Sequence, residues 1–366
     1  MSALVVSPRL EGIWAKLDES REIDALLVTS LTNIRYLTGF TGSAGMLLLH
    51  PGHAVLVTDG RYDTQAEEQL AAARARASVE VATAAGQREA VAEVVTAARP
   101  AVLGLEAAHV SWARQRSFEA EWFPGLPLVP TVGWVEEMRM VKDAAELERL
   151  QAAAAIADSA LATMRPRLGE GMTEAEFGRL LDFEMRSLGA SGPSFETIVA
   201  SGPNAAKPHH RPGNRVMRSG EPIVLDFGAV VDGYCSDMTR TVWLGRIADT
   251  DLRRAVQVVT ESQAAGVAAV RPGISAAEVD RACRSVIESA GWSDRFVHGT
   301  GHGVGLDIHE APSVSATSTD TLAPGHVVTV EPGVYLPGLG GIRIEDTVVV
   351  TEYGCRPLNT TVKDRP

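Results

Sequence analysis

Thirteen residues, HGTGHGVGLDIHE from His298 to Glu310, hold three of the chain's nine histidines and four glycines. Imidazole titrates close to neutral pH and is the commonest nitrogen ligand for metals, so such clustering points to metal binding or proton transfer. Glycines at 299, 301, 303 and 305 would let the backbone approach something closely. Carboxylates supply the second ingredient. PIVLDFGAVVDGYCSDMTRTVWLG (222–245) reads as a hairpin turning at Asp232-Gly233. Asp226 and Asp237 then lie opposite or one diagonal step apart, and either register puts both on one face. VVTVEPGVYLPGLGGIRIEDTVVV (327–350) turns around Pro337-Gly338-Leu339-Gly340. Folding about residue 338 brings Glu331 opposite Glu345, and Arg343 shares the face of Glu345.

Any one of these acids is an ordinary strand-end carboxylate; the argument comes from the set. Four carboxylates on one interior face would repel and be costly to desolvate unless protons or cations neutralised them. Two divalent cations supply four charges, and sites of this kind hold their ions roughly 3.5–4 Å apart. A neutral imidazole completes a coordination shell without upsetting the balance, and His302 is the candidate. Asp232 is expected to be a turn acid, and Asp346 a solvent-facing or secondary hydrogen-bonding group. His326 reads as a core histidine held by backbone bonds, and His50, His53 and His109 as surface or structural residues.

The elements that must position these groups fall into two regions. Up to about residue 130 short apolar runs at 25–30, 45–50, 54–59 and 101–106 read as strands, with helices over 64–77 and 88–100. This is a small α/β domain, residues 1–135, and residues 136–366 form a second domain. The second contains a repeat. GMTEAEFGRLLDFEMRSLGA from Gly171 and GISAAEVDRACRSVIESAGW from Gly273 align without gaps at an offset of 102 residues. Both open on a helix capping box, Thr173-x-x-Glu176 and Ser275-x-x-Glu278. Each copy leads into β-type sequence carrying one acid pair, so the site is expected between duplicated halves.

Composition narrows the alternatives. The chain has 366 residues, 45% of them hydrophobic and 22% charged, and a formal net charge of −12. That is a soluble globular balance, and the negative charge argues against nucleic acid as a partner. Cys235, Cys283 and Cys355 match neither a zinc spacing nor a disulfide framework, which suits a reducing compartment. With no signal peptide or membrane span in the pattern, a cytoplasmic location is expected.

LDFGAVVDGYCSDMTRT, HGTGHGVGLDIHE, VEPGVY and GIRIEDT together resemble the creatinase/prolidase/methionine aminopeptidase superfamily, metallopeptidase family M24. SGPNAAKPHH (201–210) and TNIRYLTGFTGSAG (32–45) extend the resemblance over nearly the whole chain, toward its Xaa-Pro peptidases, the aminopeptidase P and prolidase branch. The resemblance implies a creatinase/prolidase-type α/β N-terminal domain followed by an α+β pita-bread catalytic domain with a pseudo-twofold repeat. It implies that Asp226, Asp237, His302, Glu331 and Glu345 ligate two divalent metal ions, with Asp237 and Glu345 bridging. The metal implied is manganese (Mn2+), with Co2+, Zn2+ and Fe2+ also compatible with the ligands. Among the catalytic residues implied, His298 and His309 line the substrate site and Glu331 transfers protons. His209, Arg343 and Tyr335 bind substrate, and His210 is a bystander. The implied activity is metal-dependent hydrolysis between an N-terminal residue and a following proline, by a homodimer. A methionine-aminopeptidase-like enzyme, a metal-free creatinase-like hydrolase and a catalytically silent peptide-binding relative are the competing readings. The intact set of five ligands weighs against the last two.

Overall fold

A computed structural model describes residues 1–83 and 86–364. The chain divides into two compact units, Met1–Arg139 and Met140–Pro366. The first is built on a six-stranded sheet of β1 (Ala25–Val28), β2 (Met46–His50), β3 (His53–Asp59), β4 (Ser78–Ala82), β5 (Leu103–Glu106) and β6 (Leu128–Thr131), ordered β4-β3-β2-β1-β5-β6. Strand β2 runs antiparallel to β1 and β3, and the other pairings are parallel. The four expected strands are all present. The helix expected over 64–77 stops at Ala72, because Arg74 turns into the left-handed region at φ 52° and ends the ladder. Two strands lacked a sequence signal. β4 is short and mostly solvent-facing, and β6 carries Pro130, which an edge strand tolerates because its outer N–H groups have no ladder partner.

In the second unit the repeat governs the layout. Helices Ala144–Met164 and Glu174–Ser187 answer to helices Thr250–Ala269 and Ala276–Ser289. The shorter helix of each pair has 14 residues, and both of its ends obey the same 102-residue offset. Both capping boxes close. Thr173 and Ser275 accept from the N–H of Glu176 and Glu278, whose carboxylates accept in return from the cap residues' N–H groups. The apolar face of each short helix packs on its own strands. Phe177, Leu181 and Met185 cluster with Val199, Leu225 and Phe227, and Val279, Cys283 and Ile287 cluster with Val328, Val330 and Val348.

The first half supplies β7 (Gly192–Pro193), β8 (Ile198–Ser201), β9 (Pro222–Phe227), β10 (Ala229–Val231), β11 (Tyr234–Cys235) and β12 (Met238–Trp243), in sheets β12-β9-β8 and β11-β10-β7. The second half supplies β13 (Gly301–Gly303), β14 (Glu310–Val314), β15 (Val327–Val330), β16 (Gly333–Leu336), β17 (Gly340–Arg343), β18 (Asp346–Val350) and β19 (Cys355–Pro357). These form β14-β13-β15-β18-β19 and the ribbon β16-β17. Threonines stitch the halves together. Thr239 O accepts from Glu345 N at 3.1 Å, Thr241 Oγ1 donates to Arg343 O at 2.8 Å, and Thr347 Oγ1 donates to Asp237 O at 2.9 Å. Among the described residues no helix is long and apolar enough to cross a membrane.

Candidate active site

Backbone register brings the acids together. In the first hairpin Asp226 pairs with Thr239, Phe227 with Met238, and Val231 with Tyr234. Asp237 therefore lies on the diagonal from Asp226, the second of the two anticipated registers, and both side chains share a face. The turn residues Asp232 and Gly233 have φ 47° and 78°, the pair of positive values a type I′ turn demands. Asp232 directs its carboxylate to Arg149 Nε at 2.6 Å, as a turn acid rather than a member of the cluster. In the second half Val330 pairs with Asp346 and Gly333 with Arg343, so the register running between them sets Glu331 against Glu345.

The two pairs meet. Asp226, Asp237 and Glu345 each offer an oxygen, all within 4.8 Å of one another. His302 Nε2 lies 3.4 Å from Glu331 Oε1 and 3.6 Å from Asp237 Oδ2. Burial and mutual repulsion raise the pKa values of Asp237, Glu331 and Glu345. Asp237 and Glu345 are pushed well above the ordinary range, by desolvation first and then by neighbouring carboxylates. Glu331 is pushed up to about 8, chiefly by desolvation and despite the offsetting charge of Arg343. Arg343 reaches across from β17 to pair with Asp226 in the other half.

These residues suit divalent cations. Asp226 Oδ1, Asp237 Oδ1 and Glu345 Oε1 are buried and have no hydrogen-bond partner. Unpartnered buried carboxylate oxygens are costly, and three side by side must be neutralised, by protons in the metal-free fold or by cations held among them. His302 tells the same story. Its Nδ1 lies 3.0 Å from Gly303 O, to which it can only donate, and burial drives its pKa down to about 4. The Nε2 lone pair is thus left facing carboxylate oxygens, the tautomer a metal-ligating histidine requires.

Two adjoining cavities of about 280 Å³ each share His209, Asp226, His302, His309 and Glu331. One is walled by Phe195, Ile198 and Ile308, with Glu196 and Arg211 alongside; the other by Pro208, His298, Ser313, Ser315 and Arg343. His309 packs edge-on against His302, with ring centroids 4.3 Å apart. His298 is more constrained. Its Nδ1 meets Gly299 O at 2.7 Å, and its Nε2 accepts from the Tyr335 hydroxyl at 2.8 Å, which in turn accepts from Arg343 Nη1 at 3.0 Å. Desolvation, with the Arg343 charge next, lowers the His298 pKa to about 4.

Packing within the protein already demands glycine in the histidine segment, and Gly299 and Gly301 also line the second cavity. A Cβ on Gly301 would stand 2.1 Å from Thr329 O, and one on Gly303 2.2 Å from Ala311 O. Their missing side chains let β13 nest between β14 and β15 and hold His302 in place. Asp346 is buried, so its solvent-facing alternative is ruled out; it accepts from Arg240, Gln263 and Lys363. His326 is the buried histidine expected, with Nδ1 accepting from Ala323 N at 3.3 Å. His210, expected to be a bystander, instead bonds a buried glutamate, Glu174, at 2.9 Å. Sequence reasoning also passed over Lys142, which pairs at 2.6 Å with Glu310 at the end of the histidine segment, and over Phe195, Ile198 and Ile308. Phe195, Ile198 and Lys142 lie outside the quoted motifs, and Ile308, though inside one, is an ordinary apolar residue that nothing in its own chemistry marks.

Residues 148–352 match metallopeptidase family M24, and residues 9–141 match the creatinase/prolidase N-terminal domain. The chain belongs to metallopeptidase family M24, with its catalytic unit in the pita-bread fold. It is 40% identical over 343 residues to an uncharacterized peptidase of Bacillus subtilis, covering 93% of this chain and 95% of that one. An Xaa-Pro dipeptidase from Bacillus anthracis superposes with a TM-score of 0.93 at 36% identity, over 98% of both chains. An X-Pro aminopeptidase from Thermotoga maritima does so with a TM-score of 0.88 at 33% identity, over 98% of this chain and 99% of that one.

Proposed function

We propose that the protein is a dinuclear metal-dependent Xaa-Pro peptidase, hydrolysing the bond between an N-terminal residue and a following proline. Asp226, Asp237, His302, Glu331 and Glu345 would hold two divalent cations, manganese by preference. The observation that carries this reading is the cluster itself: three buried carboxylate oxygens without partners, and an imidazole lone pair turned toward the same carboxylates. Two such cations lower the pKa of a water to near 7, making hydroxide available at neutral pH.

The chain's own groups do the rest. Glu331 takes the proton of the attacking water and passes it to the proline nitrogen as the bond breaks, being the carboxylate of the cluster that lines both cavities beside His302. His309, lining both cavities, donates to the developing oxyanion. His298 has both ring nitrogens engaged and a pKa of about 4, so it orients Tyr335 rather than shuttling protons. Tyr335, Arg343 and His209 bind the substrate around the scissile bond. The structural relatives named above include both a dipeptidase and an aminopeptidase, so both substrate lengths belong in the test. A homodimer and a cytoplasmic location complete the proposal, the latter supported by three free cysteines.

The test uses enzyme stripped by chelation and reloaded separately with manganese, cobalt, zinc or iron(II). Hydrolysis of Ala-Pro or of an Xaa-Pro-Xaa peptide should be lost on stripping and return on reloading. Undiminished cleavage by stripped protein, or cleavage of Met-Ala but no proline peptide, overturns the proposal.

A further inference from the structure

Adjacent histidines in the segment PHHR have different surroundings. His209 borders both cavities, while His210 touches only the first and bonds Glu174, the first residue of the helix Glu174–Ser187. Glu174 has 0% exposure. Its Oε1 accepts from Ser201 N and Ser201 Oγ at 2.8 Å each and from Asn204 Nδ2 at 3.1 Å. Its Oε2 meets His210 Nε2 at 2.9 Å and Gly213 N at 3.3 Å. One carboxylate thus gathers the start, middle and end of the loop 201–213. The backbone adds to the grip, with Glu174 N donating to Arg215 O and Ala175 N to Gly213 O, each at 3.0 Å. Burial alone would raise the Glu174 pKa, but hydrogen bonds from Ser201, His210 and Asn204 outweigh it and hold the group ionised.

A helix cap does not account for this. The capping of that helix is done by Thr173 and Glu176, leaving Glu174 no part in it. The second half has its own device. Asp280, also buried, accepts from Thr300 N and Thr300 Oγ1 and pairs with Arg284, which donates to Phe296 O and His298 O at 3.1 and 3.0 Å. The two acids do not occupy matching repeat positions, since 174 corresponds to Ala276 and 280 to Gly178. Each short helix nonetheless anchors the loop that brings a histidine to the cleft.

We propose that Glu174 is a positioning residue for His209, fixing the loop 201–213 so that the His209 imidazole meets the substrate. This rests on the function proposed above. Misplacement of a substrate-binding group by about 1 Å can cost on the order of 100-fold in rate. Glu174→Gln, which cannot accept on both sides of its amide, should therefore lower kcat/KM for Ala-Pro by roughly 10–100-fold with metal content unchanged. Because Glu174 acts through His209, the same substitution placed in a His209→Ala background should cost little more. Multiplicative losses in the double variant, or metal loss in Glu174→Gln alone, overturn the assignment to positioning. Should Glu174→Gln fail to fold, Asn204→Ala removes a single strut, the amide that donates to Glu174. Its expected loss is several-fold and likewise masked by His209→Ala, and unchanged kcat/KM counts against the proposal. A wild type that cleaves no proline peptide sinks the function instead. The NMR resonance of the His209 ring then decides separately: a shift in Glu174→Gln supports positioning, and an unmoved resonance refutes it.

Discussion

Removing the metals should leave a protein whose stability falls as pH rises from 6.5 to 8, a fall that restoring the metal abolishes. Glu331 in the metal-free fold has a pKa of about 8, against 4.5 for an unperturbed glutamate. The native state therefore keeps a proton that the unfolded chain has released, so its stabilising effect is full below 4.5 and is lost as pH climbs through 8. Each such proton gives a slope of about −1.4 kcal/mol per pH unit. Below 6.5 two histidines oppose this fall. His298 and His302 have pKa values pushed down to about 4, so between there and their ordinary 6.5 the unfolded chain binds protons that the native state does not, which offsets part of the loss. As pH climbs past 6.5 both histidines become neutral in either state and the carboxyls dominate. Over that window Glu331 alone contributes roughly 2 kcal/mol. Asp237 and Glu345, displaced in the same direction, steepen the fall. Bound cations force all three carboxylates to be charged in the native state, which removes the proton difference and the slope. Urea unfolding of stripped and manganese-loaded protein at pH 6.5, 7.2 and 8.0 measures this directly, and stripped Glu331→Gln should show a shallower fall than stripped wild type. Stability of the stripped protein that stays level or climbs across the window would refute the electrostatic account of the cluster.

Three further outcomes follow from particular contacts. Asp237→Asn should reduce activity by several orders of magnitude and lower bound metal, while Asp232→Asn, which only loosens the ion pair with Arg149, should stay within about threefold of wild type; similar losses in the two, measured by rate and elemental analysis, would disprove the ligand assignment. Gly301→Ala would place its Cβ 2.1 Å from a strand carbonyl, so unfolding should show destabilisation of roughly 1–3 kcal/mol together with weaker metal retention as β13 shifts His302. Ser275→Ala removes a cap at the protein surface and should lower stability by about 1 kcal/mol with kcat unchanged.

Which parts of the molecule were legible in its sequence depends on whether the governing physics is local. The 102-residue offset, the two capping boxes and both hairpin centres are local features, written in periodicity and turn chemistry, and the structure reproduces each of them. The convergence of Asp226, Asp237, Glu331 and Glu345 followed from them, because a hairpin centre fixes which side chains share a face. Strands β4 and β6 escaped notice for the opposite reason. Both are short edge strands, one largely exposed and one containing proline, that exist because a neighbour pairs with them, and their own residues give too little signal to say so.

The same distinction explains why His210, Glu174 and Asp280 were missed while the metal cluster was not. An acid in the first turn of a helix ordinarily complements the helix dipole at the surface, and Glu174 in isolation invites that reading. Its role depends instead on the loop 201–213 folding back over the helix start, a tertiary event between residues up to 39 positions apart. Asp280 likewise passes for half of an i, i+4 pair with Arg284 until the guanidinium is seen to hold the carbonyls of Phe296 and His298. Duplication copied the helices and the hairpins, yet the anchors beneath the histidines sit at unmatched positions in the two halves. An anchor answers to its own loop, and the two loops differ: one carries His209 across a gap from β8 to β9, the other threads β13 between two strands. Residues fixed by the repeat are therefore readable from internal symmetry, whereas residues that adapt each half to its own histidine are readable only from their contacts.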